Sequence, residues 1–527
     1  MLIALALISA AVLTLHGRSL AGDLLLDDWY NVRWLGDAAQ PLDLFAGNWS
    51  FAERGDPTKN FYRPIPRLSF LADRALWGLD RPGGFHLTNL LLHAANAFLL
   101  WGIVRSLWAS RRHEFLAVGL FLTHPLTVEA VYWVSARTEL WAALFALPAI
   151  WITLAFTQCD QGSRFSPHRL WTLPLLALAL ASKETAVVLP GLLLGLDLWR
   201  QRGLSPLRVV WWLGTLGLLA GYFLMRRALF AVFMGGGDHF SAVGFLRMVY
   251  EGTALFLNPW SGWASAVGAL KAPLVGLLLG LPVLLTLLRR ERPEERGFLL
   301  AALLWGLASL VPLTSLGFTL ESDTRLLYGL TAAFSLLAAG LLSRLLGLVF
   351  GDREREMEAL IVLGGIWALA LGVTSLHVNR DWANASRIAR SSINLIAGHI
   401  TRTQPQDFVL ILDPPDKYGR AFIFRRVELQ FAVDQVLDER GVPHPLIASL
   451  HHLEPESGAI ENSATARYRP VGSDGAFREP AAWYQFSEES FTGTEEDVSL
   501  HMSGPDPNSV SVSGVSDVPS LWHSSYD

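Results

Sequence analysis

Residues 121–150 read FLTHPLTVEAVYWVSARTELWAALFALPAI, and this stretch joins two long apolar runs through a short polar link. The runs, near 114–134 and 138–157, are each about as long as the roughly 20 residues that a transmembrane helix needs. Most of the charged side chains stand where the runs meet. Because charges at membrane depth are costly, such groups are candidates for function. The stretch therefore predicts two membrane-spanning helices that share functional groups at one end.

Similar apolar runs occur along most of the chain. The other candidate spans are 2–16, 85–108, 168–182, 184–199, 207–230, 265–288, 297–317, 325–349 and 357–377. Residues 245–260 are amphipathic and carry Arg247 and Glu251, which favours an interfacial or re-entrant segment. The first run is either an uncleaved helix or a signal peptide, although it lacks a basic N-terminal region. The fold class predicted is an all-α polytopic membrane protein with about 11 transmembrane helices.

The composition of the 527-residue chain agrees with a membrane protein. Hydrophobic residues make up 51% and charged residues only 17%, against about 25% in soluble chains. The net charge of −5 gives no basic field, so nucleic acid is not expected as a partner. The single cysteine, Cys159, excludes an intrachain disulfide framework.

Basic loops indicate the orientation of the helices. Links 110–114, 200–208 and 289–296 carry arginines, and such loops face the cytoplasm. They fall on one side if 245–260 does not cross, which leaves the C-terminus outside the cytoplasm. We therefore expect a multi-pass protein, with a bacterial inner (plasma) membrane as its location and the functional groups on the outer face.

Three regions are predicted from these patterns. Residues 1–380 form the transmembrane domain, whose first outer loop, 17–84, contains amphipathic interfacial helices. Residues 381–485 form a small extracytoplasmic α/β module, because DFVLILD reads as a strand and VELQFAVDQVL as a helix. Residues 486–527 are rich in Ser, Gly, Asp and Pro and are expected to be disordered.

Charged and polar residues cluster at the outer ends of the predicted helices. Asp27 and Asp28 follow the first helix and could be catalytic acids, loop acids or a helix cap. His124 precedes Pro125, so it either supports a kink or contacts a substrate. The remaining members of this set are Glu129, Arg137, Glu139, Lys183, Glu184, Glu321, Asp323, Arg325, Tyr328, Arg380 and Asp381.

The Lys183–Glu184 pair interrupts an apolar stretch of thirty residues, 170–199, which is too long for one crossing. Splitting the stretch at the pair predicts two short helices with a tight outer turn. The pair could simply be the polar residues that such a turn needs. Lys183 is one of only four lysines, and lysine binds phosphate as a point charge, so a phosphate-binding role is the other interpretation.

The residues His86, Asn89, His93 and Asn96 recur at spacings of three and four, and therefore lie on one stripe of a helix. Asparagine is a poor ligand for transition metals. The stripe favours hydrogen bonds between helices over a metal site.

Several strings in the chain resemble one family. They are DDWYN, NFYRPIPRLSFLADRALWGLDRPGGFHLTNLLLHAANAFLL, THPLTVEAVYWVSARTELWAALF, LASKETAVVLPGLLL and SDTRLLYGLTAAFSLLAAGLL. Over residues 20–395 the chain resembles the transmembrane O-mannosyltransferases with tetratricopeptide repeats, and more broadly the GT-C superfamily. The resemblance implies an integral-membrane glycosyltransferase in contact with membrane lipid. It would take the sugar from a polyprenyl-phosphate-linked donor and transfer it to a protein or glycolipid acceptor.

Roles follow from the resemblance residue by residue. It implies catalytic roles for Asp27, Asp28 and Glu139, and donor-phosphate binding by Lys183, Arg137 and Arg325. It implies substrate contacts for His124, Glu129, Tyr328 and Glu184. Some superfamily members use a divalent cation, Mg or Mn, in which case Asp27 or Asp28 would be a ligand. The tail lacks the repeats, and Glu139 stands where the relatives more often have Asp.

Two other functions fit the same pattern of residues. A transporter or flippase would also place charges in the membrane, but usually with matching halves and broken helices at mid-depth. A non-catalytic scaffold would present the tail to a partner and would not need acids in the first outer loop. The outer-face clustering favours the glycosyltransferase.

Overall fold

The structure is a computed structural model of the full chain. It describes residues 1–29, 31–32, 45, 61–107, 111–159, 166–200, 205–230, 241–257, 274–281, 293–315, 320, 323–350, 353–403, 408–412, 417–424, 428–442, 445–450, 482–486 and 502–503. Residues 33–44 and 46–60 of the predicted first outer loop, Glu321, and nearly all of the predicted disordered tail lie outside these residues.

Helices make up most of the described chain. They are α1 Leu2–His16, α2 Pro64–Trp77, α3 Pro82–Leu107, α4 Arg111–Thr123, α5 Val128–Tyr132, α6 Arg137–Cys159, α7 Thr172–Leu180, α8 Leu189–Arg200, α9 Pro206–Phe230, α10 Ala242–Leu257, α11 Pro293–Leu310, α12 Tyr328–Phe350, α13 Arg353–Thr403 and α14 Glu428–Arg440. Residues 274–281 are also helical.

Six of the described helical segments are long and apolar enough to cross a membrane, or seven if one bent pair is a single span. The polytopic helical class is therefore supported. The number eleven stays a prediction, because parts of the expected spans lie outside the described residues. The α10 helix occupies most of 245–260, and whether it crosses is likewise untested.

The long helices expose large apolar side chains on their surface. Leu213 and Leu224 on α9 are 64% and 66% exposed, and Ile366 and Leu369 on α13 are 60% and 69% exposed. Such a surface is unfavourable in water and favourable in lipid. The buried core lies between these helices, where α3 packs on α6 and Gly306 of α11 lies directly against the ring of Phe334.

The stretch 170–199 is split at the predicted place. The α7 helix ends at Leu180, Lys183 is extended, and a 3-10 turn over Glu184–Val188 leads into α8. A charged pair in an apolar run cannot lie at mid-bilayer without cost, so the helix is interrupted there. The prediction of two short helices joined by a tight turn is confirmed.

Contacts divide the chain into two compact units. The first is Met1–Ala21 with Leu35–Arg380, and the second is Gly22–Trp34 with Asp381–Asp527. The segment with Asp27 and Asp28 therefore belongs to the second unit and not to the helical one, a grouping that the sequence did not predict. The regional boundaries at 380 and 485 otherwise stay predictions.

The second unit contains a small four-stranded sheet. Its order is β4 Leu446–Leu450, β1 Phe408–Leu412, β5 Ala482–Phe486 and β6 Met502–Ser503, with a separate hairpin of β2 Lys417–Tyr418 and β3 Ala421–Phe422. The β1 strand pairs in parallel with β4 and β5, and β5 pairs antiparallel with β6. Helix α14 connects β1 to β4. The sheet is small, so the independent α/β module stays a prediction.

One helix differs from its predicted limits. The predicted run 357–377 is only the middle of α13, which continues for 51 residues to Thr403. Beyond Arg380 the helix buries Ile388, Ile393 and Ile396 on one side. Because this amphipathic continuation has no long apolar run, hydropathy alone ended the helix too early.

Candidate functional site

Lys183 and Glu139 form a buried ion pair in the first unit. The Lys183 Nζ atom donates to Glu139 Oε1, and the side chains are only 4% and 8% exposed. Glu139 lies in the first turn of α6, and Lys183 lies at the turn between α7 and α8. Burial lowers the pKa of Lys183, and the Glu139 carboxylate opposes that shift. Two helix ends that are 44 residues apart in sequence are thus joined by opposite charges.

A second ion pair lies beside the first. Arg63 binds Glu184 with two donors, one of them Nε at 2.9 Å from Oε2. The Ile65 backbone N–H donates to the Ala181 carbonyl at 3.3 Å, which fixes the start of α2 against the hairpin turn. Burial alone would raise the pKa of Glu184, but Arg63 outweighs it and lowers that pKa to about 2. The Glu184 carboxylate is therefore ionised at neutral pH.

An apolar cavity of about 90 Å³ opens beside Glu139, the carboxylate partner of Lys183. Glu139, Thr185 and Ala186 lie on its wall, and Tyr328 lines it from α12. The rest of the wall is mainly aliphatic: Ala142, Ala143, Ala146, Leu147, Ile150, Val188, Leu189, Leu192, Leu326 and Ala332, with Trp305, Ser309 and Gly329. A charged group at the wall of an otherwise apolar space suits an amphiphilic ligand.

A smaller apolar cavity of about 20 Å³ shares Ile150, Leu192 and Trp305 with the first. On α6 the lining continues from Glu139 to Leu154, a distance of about 22 Å along the helix axis. Apolar lining of that extent, with charge at one end, matches a ligand that has a long hydrocarbon part and a polar head.

Arg137 lies in a separate cluster, although it is only two residues from Glu139. Its Nη1 atom lies 2.5 Å from Asp73 Oδ2, and its Nε atom lies 3.1 Å from Asn89 Oδ1. It also donates to Ser69 Oγ at 3.2 Å and to the Phe85 carbonyl at 2.9 Å. All three guanidinium nitrogens are engaged and the side chain is fully buried. These contacts favour a structural role, and the predicted phosphate contact stays a prediction.

Arg325 and Glu129 are also brought together. Arg325 Nη1 lies 2.7 Å from Glu129 Oε1 and 2.5 Å from Asp323 Oδ1, and the guanidinium stacks 4.4 Å from the Trp133 ring centroid. Thr324 Oγ1 donates to Glu129 Oε2 at 2.7 Å. Two carboxylates surround this one arginine, which opposes binding of a phosphate at the same place. The predicted roles of Arg325 and Glu129 stay untested.

Tyr328 connects the cavity wall to the helix stripe of α3. Its hydroxyl lies 2.8 Å from His93 Nδ1 and 3.3 Å from Asn96 Nδ2. Asn96 Nδ2 also donates to the Leu140 carbonyl at 2.9 Å, and Asn89 Nδ2 to the Val131 and Trp133 carbonyls. The prediction that the stripe makes hydrogen bonds between helices is confirmed.

His124 has the contacts of a kink residue. Its Nδ1 atom accepts the Leu126 N–H at 3.3 Å, and its Nε2 atom lies 2.9 Å from the Phe256 carbonyl. The helices on either side of it bend by 55°. Pro125 has no N–H to continue the helical hydrogen bonds, and where the helix breaks the imidazole accepts the Leu126 N–H in place of a backbone carbonyl. Of the two roles left open from the sequence, these contacts favour the structural one.

The predicted acids Asp27 and Asp28 lie in the second unit. Asp28 is fully buried, and its Oδ2 atom accepts the Leu25 N–H at 3.0 Å. The Asp28 N–H in turn donates to the Leu25 carbonyl at 3.0 Å, and the Asn31 N–H donates to the Asp27 carbonyl at 2.9 Å. Asp28 therefore closes a tight turn, whatever else it does. Its predicted catalytic role stays a prediction.

The described residues contain no group of three or more His, Cys, Asp and Glu that could hold a metal ion. Asp27 and Asp28 thus have no third ligand of these types within that part of the chain. Use of Mg or Mn stays a prediction.

Two functional candidates were missed in the sequence. Arg63 and Asp73 lie in NFYRPIPRLSFLADRAL, 121 and 64 residues from their partners Glu184 and Arg137. A charged residue on an amphipathic helix usually faces water, and the pattern gave no sign that these two are buried. The only signal was their place within the strings that resemble the family.

Comparison with known proteins supports the resemblance over part of the chain. No family profile matches. The chain is 30% identical over 143 residues to mouse protein O-mannosyl-transferase TMTC2, which covers 26% of this chain and 17% of that protein. It is 29% identical over 211 residues to human TMTC1, covering 37% and 24%, and 28% identical over 206 residues to human TMTC4, covering 35% and 28%. The matches span at most about a quarter of these relatives' own length.

Solved structures show an overall likeness at low identity. The Archaeoglobus fulgidus oligosaccharyltransferase, in complex with Zn and sulfate, matches with a TM-score of 0.45 and 12% identity over 84% of this chain and 62% of that one. ArnT from Cupriavidus metallidurans, bound to undecaprenyl phosphate, matches with a TM-score of 0.40 and 17% identity over 76% and 72%.

The sequence matches thus agree with the family that the motifs indicated. In the relatives named here, each match covers at most 37% of this chain and only part of the relative. Within that limit the resemblance is confirmed: over at most 37% of its length in these matches, the chain is similar to the protein O-mannosyl-transferases.

Proposed function

We propose that the protein is an integral-membrane glycosyltransferase that takes a sugar from a polyprenyl-phosphate-linked donor. One observation carries the proposal: Glu139, which lines an apolar cavity in a helical membrane protein, is ion-paired with the buried Lys183. A lipid phosphate combines an anionic head with a hydrocarbon chain, and this arrangement offers one partner for each. The O-mannosyl-transferase relatives support transfer of a sugar as the reaction class.

Lys183 is proposed to bind the donor phosphate. A lysine ammonium has three N–H donors, and the Lys183 ammonium donates to Glu139. Burial makes a charge costly unless it is paired, so an arriving phosphate would gain a desolvated, pre-oriented cation. The Glu139 pair keeps the lysine charged while the donor is absent. The positive charge then stabilises the phosphate as it leaves the sugar.

The apolar cavities are proposed to hold the first part of the polyprenyl chain. With volumes of about 90 and 20 Å³ they take only its beginning, and the remainder would lie along the lipid-exposed helix faces. The aliphatic lining supplies van der Waals contacts and no specific hydrogen bonds. Such a site recognises an extended hydrocarbon without selecting the sugar.

A carboxylate is proposed to remove the proton from the acceptor hydroxyl as the sugar is transferred. The candidates are Asp27, Asp28 and Glu139, the last of which is released when Lys183 turns to the phosphate. The transition state is oxocarbenium-like by analogy with glycosidases, and a single displacement inverts the anomeric carbon. The acceptor is a protein hydroxyl or a lipid or glycan outside the cytoplasm.

The arginine-rich loops 200–208 and 289–296 support an outer catalytic face. The same loops support an extracytoplasmic C-terminus, and the composition supports a bacterial plasma membrane. In that membrane the donor lipid would be undecaprenyl phosphate.

The test is transfer of radiolabelled sugar in membranes supplied with polyprenyl-phosphate sugars. Wild type is compared with Asp28→Ala and Lys183→Ala at equal membrane expression, and Arg247→Ala serves as a control on the exposed face of α10. We expect transfer by wild type and by the control, and loss of transfer in both test variants. No transfer by wild type with any donor lipid would contradict the proposal, and lipid flipping by the same protein would point to the transporter.

A further inference from the structure

The segment that carries the predicted acids is held from one side by α13. Within the second unit, the Asp23 N–H donates to Ser386 Oγ, and Asp23 Oδ2 lies 2.8 Å from Arg390 Nε. Ser386 and Arg390 are four residues apart and so lie on the same face of the helix. Ser386 and Asp23 are buried, whereas the Arg390 side chain is 63% exposed.

A continuous set of contacts leads from Asp23 to Asp28. Asp23 Oδ1 accepts the Leu24 N–H at 2.8 Å, and the Leu24 carbonyl accepts Trp29 Nε1 at 3.1 Å. The Leu25 N–H and carbonyl both bond to Asp28. Between them Leu26 has a φ of +52°, a left-handed conformation that a leucine adopts only when its surroundings impose it. The turn therefore depends on the contacts at its two ends.

We infer that Ser386 and Arg390 are positioning residues for the Asp27–Asp28 turn. In the described part of the chain no hydrogen bond or ion pair joins them to either acid, and they act through Asp23, to which α13 is bonded. This inference rests on the proposed function, because it gives the C-terminal region a part in transfer that depends on a catalytic carboxylate. It also assigns a purpose to the helical continuation beyond Arg380, which the apolar pattern did not predict.

The expected effect is moderate because Arg390 is largely exposed. The Arg390 end of the ion pair is exposed to solvent whereas Asp23 is buried, so Arg390→Ala should lower stability modestly and leave the fold intact, and Asp23→Asn, which removes the charge, controls for the unpaired carboxylate. Misplacement of a catalytic group by about 1 Å can cost about 10²-fold in rate, and a partly loosened turn should cost less, about 10-fold. The loss should fall on kcat and leave KM for the donor nearly unchanged, since donor contacts are not altered.

The test combines two measurements on the purified full chain. Hydrogen–deuterium exchange of peptides from 22–29 reports the turn directly, and steady-state transfer reports its consequence. The variants are Arg390→Ala, Arg390→Lys, Asp23→Asn and Ser386→Ala. The matched control is Arg387→Ala, an exposed arginine on the same helix that binds Asn384.

We expect faster exchange over 22–29 and a kcat about 10-fold lower in Arg390→Ala and Asp23→Asn. Arg390→Lys should recover most of both, and the control should change neither. Unchanged exchange in Arg390→Ala and Ser386→Ala would overturn the inference whatever the activity. Faster exchange with normal kcat, in a protein that Asp28→Ala inactivates, would overturn the positioning role. Absence of transfer by wild type would instead refute the proposed function. The exchange measurement would still report whether Ser386 and Arg390 hold the turn, because it does not depend on transfer.

Discussion

The ion pairs of Lys183 with Glu139 and of Arg137 with Asp73 are both buried, and they differ in what surrounds the cation. Arg137 has every guanidinium nitrogen bonded to protein, to one carboxylate, two side-chain oxygens and one carbonyl. Among the residues that the structure describes, Lys183 bonds to a single carboxylate, and that carboxylate lines a cavity. A saturated cation holds helices together, whereas a cation with spare donors beside a cavity can bind a ligand.

The comparison explains why equal burial does not mean equal function. Residues 137 and 139 are neighbours on one helix, yet one side chain points into the contacts of α2 and α3 and the other lines the cavity. Four sets of variants separate the structural pair from the binding pair, from the largest expected effect to the smallest.

Arg137→Met should destabilise the protein by about 3–5 kcal/mol, because it leaves the buried Asp73 carboxylate without its charge partner. Replacement of both partners, Arg137→Met with Asp73→Asn, should recover part of that loss. The measurement is thermal unfolding in detergent together with the yield of folded protein. If Arg137→Met were as stable as wild type but lost transfer, the structural assignment of this pair would be wrong.

Lys183→Met with Glu139→Gln should lower transfer by about 10²–10³-fold while keeping the melting temperature close to that of wild type. Both charges are removed together, so no buried charge is left unpaired, but the cation for the phosphate is lost. The measurement is transfer of radiolabelled sugar, with the melting temperature taken on the same sample. Normal transfer by this double variant would show that the pair is structural, like that of Arg137.

Glu184 should make stability depend on pH through its pairing with Arg63. Its pKa in the folded protein, about 2, is below the ordinary value of 4.5, so the pair stabilises the protein above pH 4.5. As pH falls from 4.5 towards 2 the folded state loses that contribution, about 3 kcal/mol at most. In Glu184→Gln the free energy of unfolding should change less between pH 4.5 and pH 2 than it does in wild type. The same pH dependence in both proteins would contradict the pairing.

Tyr328→Phe should have the smallest effect, about 1 kcal/mol on unfolding and less than tenfold on transfer. It removes the hydroxyl that bonds to His93 and Asn96 but keeps the ring on the cavity wall. The measurements are thermal unfolding and the Michaelis constant for the donor. If that constant rose by two orders of magnitude, the hydroxyl would instead contact the donor, as the family resemblance implies.

Features carried by local pattern could be predicted from the sequence. Hydropathy predicts the helical membrane class and the helix break at Lys183. Helical spacing predicts the hydrogen-bonding stripe of α3. The partners of the charges could not be predicted, because Arg63 and Glu184 meet across 121 residues through packing that one sequence does not encode locally. The extension of α13 to Thr403 was missed for a related reason, since an amphipathic continuation resembles a soluble helix.

Binding of polyprenyl phosphate, compared with the uncharged polyprenol, tests most directly whether Lys183 holds the lipid phosphate. The purified wild-type protein should bind the phosphate form about 10- to 100-fold more tightly, as expected for a hydrogen bond to a charged group. Lys183→Met with Glu139→Gln should bind both lipids alike, and Arg137→Met with Asp73→Asn should keep the preference for phosphate. A phosphate preference that survives loss of Lys183 and Glu139, or that is absent from the wild type, would contradict the assignment of the donor phosphate to this lysine.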